Sequence, residues 1–247
     1  MKAIAGLCAG LLLMAAASAA AQTADEISRR SAVEHYRSGQ ELMSAERFEQ
    51  AAAEFTVATQ LDPLLTLAHY GLGQANMALK RYASAIQAFI GCRDAYTRIA
   101  AIRQTNASEG NRRLDDEIDE LRQSIGRVRG GQIKGATETT AMQLEKRLED
   151  LQRVREQRVR GDISPIPAEI LLALGSAYYR NGQAPDAERE WREAVRANTR
   201  LGEAHNNLAV LYLQTGRKNE AEEAVKAAER ARYRVHPQLK QDIAKLK

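Results

Sequence analysis

Aromatic residues are scarce in this chain: three Phe and one Trp stand among 247 residues, and aromatics make up 5% in all. Strands draw on β-branched and aromatic side chains, so the shortage favours alanine-rich helices over a sheet-built core. Cysteine is scarcer still, with Cys8 and Cys92 alone. Missing too are HExxH, CxxC and a glycine-rich phosphate loop after a strand, which excludes the common metal-hydrolase, thiol-redox and nucleotide-binding signatures. A large excess of one charge is absent. The formal net charge is +4, dispersed over 36 cations and 32 anions, too little and too mixed to argue for nucleic acid.

Long apolar runs are lacking as well, apart from one at the amino terminus. Lys2 is followed by apolar residues from Ala3 to Ala17 and then by small residues up to Ala21. The pattern reads as a cleavable signal peptide over residues 1–21, cut after Ala21, with Ala19 as the second choice. The run falls short of the ~20 residues a spanning helix needs. The expectation is an exported chain, periplasmic or secreted, with no stable membrane span once mature. Removing the signal also removes Cys8, so Cys92 has no disulfide partner within the chain.

What is present is a repeat. LGQANMALKRYASAIQAF at 72–89 returns as LGSAYYRNGQAPDAEREW at 174–191, 102 residues later and thus three periods of 34. Gly39, Phe48, Ala51, Phe55 and Ala58 make a first unit, and Leu72, Gly73, Tyr82, Ala85 and Phe89 a second, with Cys92 at a small-residue position. Leu174, Gly175, Tyr178, Gly182, Ala187, Trp191 and Ala194 make a third. Leu208, Ala209, Tyr212, Gly216, Ala221, Val225 and Ala228 make a fourth. These four units resemble the tetratricopeptide repeat family. The resemblance implies pairs of antiparallel helices stacked into a solenoid, since one pair cannot bury both of its faces. Gly or Ala at each crossing lets backbones approach, and the large residue of the second helix fills the space beside it. Gly182 and Gly216 supply turns that need positive φ.

The interval between the second and third units does not continue the repeat. Repeat cores there would place Asp119, Gln123, Arg153 and Gln157 in apolar surroundings without partners. Leu114, Ile118, Leu121, Ile125 and Val128 instead keep 4–3 spacing, and Leu144, Leu148 and Leu151 resume it after GGQIKGATETT, where Thr140 and Gln143 have capping-box spacing. The reading is an all-α, tetratricopeptide helical-hairpin solenoid interrupted by an antiparallel coiled-coil-like hairpin. That hairpin is expected to project from the solenoid, so that deleting it leaves the repeats stacked, and self-association through it is possible. The units are residues 22–97, a helical insertion at 98–164, residues 165–233, and a cap at 234–247 where Leu239, Ile243 and Leu246 form one stripe.

Chemistry is sparse. His35, His69 and His205 occupy equivalent repeat positions; helices ~8–10 Å apart hold such residues too far from one another to share a zinc ion at ~2 Å. No metal or cofactor is expected. The acidic run DDEIDE at 115–120 reads as a solvated face balanced by later cations, and Cys92 as a small buried hydrophobe. The resemblance places a concave wall on the first helix of each unit. That wall comprises Val33, Tyr36, Gln40 and Met43, then Leu67, Tyr70, Gln74 and Met77, three pairs of them identical. In the second half it comprises Glu169, Leu172, Tyr179, Arg180, Glu203, Asn206 and Gln214. Tyr, Gln and Met suit a partly apolar peptide, with Tyr36 and Tyr70 as anchors, or else the tyrosines support the neighbouring helix. The Lys and Asn set with which some such repeats clamp acidic tails has no match. The function implied is a non-enzymatic, exported scaffold that binds a protein or peptide partner, in envelope assembly or secretion. The alternative is a structural oligomer assembled through the hairpin.

Overall fold

The computed structural model describes residues 25–105, 107–160 and 166–246, so the expected signal peptide lies outside the described residues. Their regular structure is entirely helical. In chain order the helices are α1 (25–44), α2 (Phe48–Leu61), α3 (Thr66–Ala78), α4 (Tyr82–Thr105), α5 (Ala107–Arg129) and α6 (Glu138–Arg160). Then come α7 (Ala168–Arg180), α8 (Ala184–Ala197), α9 (Gly202–Gln214), α10 (Lys218–Arg230) and α11 (Pro237–Lys245).

Four antiparallel pairs, α1/α2, α3/α4, α7/α8 and α9/α10, carry the repeat. Each crossing is built from a gap and a filler. A Cβ added at Gly39 would lie 2.5 Å from the Phe55 ring, one at Gly73 2.4 Å from Phe89, and one at Gly175 2.6 Å from Trp191. The fourth unit does the same with smaller parts, Ala209 and Val225, both buried. Burying one such large side chain contributes about 1.5–3 kcal/mol.

The turns between paired helices show how the two halves differ. All four place a residue at positive φ, 34 residues apart within each half: Glu46 (57°) and Lys80 (58°), then Gly182 (78°) and Gly216 (71°). Glycine relieves the left-handed conformation only in the second half. The equivalent histidines also act locally: His69 Nε2 meets Pro63 O and His205 Nε2 meets Thr199 O, both at 3.1 Å. His35 pairs with Glu54 at 2.7 Å.

The third unit follows the second directly in space. α7 lies against α4, and Ala85, Ile86 and Phe89 share one buried cluster with Leu174 and Ala177. At the far end α11 covers the last pair. Ile243 is buried and Leu239 partly so, and the imidazole of His236 accepts the Gln238 N–H at the helix start.

The interval forms two helices whose ion pairs fix their direction. Arg129 meets Glu145 at 2.6 Å near the turn and Arg155 meets Asp115 at 2.9 Å far from it, so α5 and α6 run antiparallel. The cap of α6 is three residues earlier than its spacing indicates. Thr137 and Thr140 exchange bonds, Thr137 N to Thr140 Oγ1 at 3.2 Å and Thr140 N to Thr137 Oγ1 at 3.3 Å, with Gln143 uninvolved.

The hairpin does not project. Leu114, Ile118, Leu121 and Leu151 lie in one core cluster with Tyr36, Phe55, Leu67 and Tyr96. The turn reaches the end of α1, where a Cβ on Gly135 would come within 2.6 Å of Ser44 O. Aliphatic 4–3 spacing states that a face is covered, and here the concave side of the repeats covers much of it. The acidic run also divides: Glu117 and Glu120 are buried on that contact, while Asp116 and Asp119 stay exposed.

Candidate functional site

The first helices of the four units, α1, α3, α7 and α9, line the concave side, and the hairpin lies over it. α5 is seated on α1 and α3. Arg37 donates to Glu120 through Nε at 3.1 Å and Nη2 at 2.6 Å, Ser124 donates to Gln40 at 3.1 Å, and Arg113 pairs with Asp62 at 3.3 Å. Leu65, the residue before α3, provides no side-chain cap. Glu117 takes that part, accepting Thr66 N at 3.2 Å and Thr66 Oγ1 at 2.7 Å. Burial raises the Glu117 pKa, against the pull of those Thr66 bonds.

α6 crosses α3, α7 and α9 through charged side chains. Asp150 Oδ2 accepts Glu169 N at 3.2 Å, which caps α7, a helix whose own N-cap residue is Pro167. Lys146 Nζ stands 3.4 Å from Glu169 and 3.6 Å from Glu203. The first is an ion pair without hydrogen-bond geometry, since Glu169 Oε1 has no hydrogen-bond partner. Burial, and then the neighbouring Asp150, push the Glu169 carboxyl up to about 7. Arg147 is 3% exposed, with its Cζ 4.1 Å from the Tyr70 ring centre. Its Nε, Nη1 and Nη2 have no hydrogen-bond partner, so the ring face and the nearby Glu117 and Glu169 carboxylates compensate the buried cation in place of hydrogen bonds.

Between the hairpin and the wall remains a partly open chamber of about 380 Å³. Of the residues expected on the wall, it collects Tyr36, Gln40, Met43, Leu67, Tyr70, Gln74 and Leu172, with Glu169 and Glu203 at its charged side. Six others lie outside its lining. Val33 packs on the core of the first half and Met77 on the cluster joining the halves. Tyr179 packs on Trp191, Arg180 is exposed at the end of α7, and Asn206 is half-buried on α9. Gln214, also outside, is exposed.

The two expected anchors are packing residues. Tyr36 is 4% exposed and its ring centre is 6.0 Å from that of Phe55; Tyr70 stands 5.6 Å from Phe89, and Tyr179 repeats the arrangement with Trp191 at 5.5 Å. The Tyr36 hydroxyl accepts from Gln40. Tyr at the shared position of the first two units thus supports the second-helix aromatic, and in the third unit, where that position is Leu172, Tyr179 does so from two turns further along the helix.

Lys146, Arg147, Glu117, Glu120 and Asp150 were not among the expected site residues, because all come from the insertion. A helical wheel held the signal for two of them: Glu117 and Glu120 flank the seam residues Ile118 and Leu121. Cys92 is fully buried, donates to Thr66 O at 3.3 Å, and has its thiol pushed up to about 12 by burial, which leaves it an unreactive thiol. Among the described residues no group of three His, Cys, Asp or Glu side chains could hold a metal ion, and no helix is long and apolar enough to cross a membrane.

Residues 36–90 and 172–233 match the tetratricopeptide repeat family, and these two stretches are tetratricopeptide repeats. The interval that contains the hairpin falls between the matches. The chain is 26% identical over 179 residues to the Hsp70-Hsp90 organising protein of Plasmodium falciparum (isolate 3D7). That alignment takes in 67% of this chain and 29% of the relative, so the chain spans less than a third of it. Against the crystal structure of the APC/C hetero-tetramer Cut9-Hcn1 the identity is 14% and the TM-score 0.29, over 87% of this chain and 42% of that one. The solenoid assignment rests on the helix pairs and the family match.

Proposed function

We propose that this chain is a non-enzymatic scaffold that binds a segment of a partner protein on the concave wall. Tetratricopeptide repeats mediate protein–protein interactions, and here they supply two pairs of such repeats with a covered groove. The observation that carries the reading is the chamber, where residues of α1, α3 and α7 meet the hairpin around an unfilled space of about 380 Å³. That volume lies in the range of ~300–1,000 Å³ typical of ligand pockets, and its lining mixes apolar side chains such as Met43, Leu67 and Leu172 with polar and charged ones such as Gln40, Gln74, Lys146 and Glu169. The relative's role in organising chaperones is not carried over, since the aligned part is 29% of that protein.

The amino-terminal pattern supports export, with the scaffold acting in envelope assembly or secretion. Pairing of hairpins between chains is the weaker reading, because Leu114, Ile118, Leu121 and Leu151 are already buried within their own chain. The test uses half-buried chamber residues rather than the packed tyrosines. Gln74→Arg and Ser176→Arg in the mature chain should each reduce capture of its partner from the exported fraction by at least 10-fold, with helicity unchanged. Capture that survives both changes would place binding elsewhere. A chain lacking residues 1–21 should stay in the cytoplasm, and finding it exported would remove the signal-peptide reading.

A further inference from the structure

The hairpin is an uneven occupant of the wall. α5 is seated with its buried polar groups satisfied, as the Arg37–Glu120, Thr66–Glu117 and Gln40–Ser124 contacts show. α6 arches over the chamber instead. Thr140, Gln143, Leu144, Lys146 and Arg147 all line the gap, whereas α5 contributes Val128 alone. The chamber is partly open to solvent, so along it α6 makes fewer packing contacts with the wall than a helix seated directly on it would. Two electrostatic defects lie along the same helix. Arg147 is buried with three unpartnered nitrogens, and α6 sets the carboxylate of Asp150 against Glu169 while offering Lys146 only at 3.4 Å.

We propose that α6 is a releasable arm and that a basic amphipathic helix of a partner protein takes its place along α3 and α7. The proposal rests on the concave wall being the binding surface. Charge on the wall selects the partner. Under α6 it presents Glu169 and Glu203, which the arm answers with Lys146, while Arg147 lies on the Tyr70 ring. A helix with an aliphatic stripe, cations beside it and no counterpart of Asp150 would pair Glu169 more closely and fill the chamber against Tyr70 and Leu172. This is helix-in-groove recognition with the groove occupied internally until the partner arrives. Release forfeits the Asp150 cap on α7 and the burial of Leu151, so the closed form dominates alone. α5 stays, because Glu117 caps α3 and Leu121 is fully buried.

Two measurements on the mature chain test this. Hydrogen exchange should show the amides of α6 at least 10-fold less protected than those of α5, and equal protection would overturn the proposal. The second uses as probe a labelled peptide of residues 138–160 with Asp150 replaced by Asn. Arg147→Met removes the buried cation that makes no hydrogen bond in the closed form, so Tm should rise by a few degrees while affinity for the probe falls at least 10-fold. A raised Tm with unchanged affinity, or a lowered Tm, would overturn the proposal, as would dimerisation of the chain in place of probe binding. Probe failure alongside partner capture that still depends on Gln74 would refute release and leave the scaffold reading standing.

Discussion

α5 and α6 are both 23 residues long, and both carry aliphatic residues at 4–3 spacing, yet they serve the fold differently. α5 brings three seam residues and two carboxylates into the core of the first half, where each carboxylate finds a donor. α6 brings Leu151 into that core with Leu144 and Leu148 only partly buried against it, while Leu144 also borders the chamber and Arg147 lies buried without a hydrogen bond. The difference shows that an amphipathic pattern sets how much of a helix is covered, while the pairing of its flanking charges sets how firmly. Seven changes test how far the two arms, and the two halves they join, differ.

The largest effect should come from removing both arms. Replacing residues 111–160 by a short Gly-Ser linker strips Leu114, Ile118, Leu121 and Leu151 from the core, at a cost of ~6 kcal/mol or more. Denaturant unfolding should show the first half losing cooperativity. A fully cooperative transition would restore the projecting hairpin.

Single truncations separate the arms. Leu121→Ala should cost about 2–5 kcal/mol, as for a fully buried leucine, whereas Leu144→Ala beside the chamber should cost less than ~1.5 kcal/mol. Equal losses would mean that α6 is as tightly docked as α5. Glu117→Ala comes next. It leaves Thr66 N and Oγ1 buried without partners and should cost about 1–3 kcal/mol in urea titrations, with no loss expected if the carboxylate is only tolerated.

Glu169 gives the α6 contact a pH dependence. It faces Asp150, Lys146 and Arg147 from α6, and Lys146 also bridges to Glu203 of α9. Its folded pKa, about 7, is raised above the unfolded value near 4.5, so the folded state holds the proton more tightly. Its contribution to stability is therefore fully present below about 4.5 and lost as pH rises through about 7. Glu169→Gln should flatten the slope of stability against pH in that window. An unchanged slope would assign it to other groups.

The smallest effect contrasts the halves through their turns. Lys80→Gly relieves a left-handed residue and should stabilise by about 0.5–1 kcal/mol, while Gly182→Ala at the equivalent turn should destabilise by about 1 kcal/mol. Thermal melts of the two variants should move in opposite directions. Movement in the same direction would show that the two turns are not equivalent.

Much of the architecture is legible in the residues. Gly39, Gly73 and Gly175 opposite Phe55, Phe89 and Trp191 announce the helix crossings, and the 34-residue spacing announces their stacking. The site is legible only in part. Nine of the expected wall residues do line the chamber, but Tyr36 and Tyr70 are supports rather than exposed anchors. Their repeat position identifies the helix face, which the wall and the packing against Phe55 and Phe89 share.

By itself the sequence determined what is local or periodic: the helices, the pairing set by small and large residues that recur every 34 positions, and the apolar stripe of the insertion. Such features depend on side-chain size and spacing along one chain segment. Only the tertiary structure decided where the stripe goes and which charges meet. Periodicity records that a face leaves water without recording what covers it, and contacts such as Arg37 with Glu120 join residues 83 apart in sequence. Whether Glu117 is a cap or a solvated acid, and Arg147 a surface cation or a buried one, depends on the neighbour that burial brings, and that neighbour exists only once the hairpin has closed over the wall.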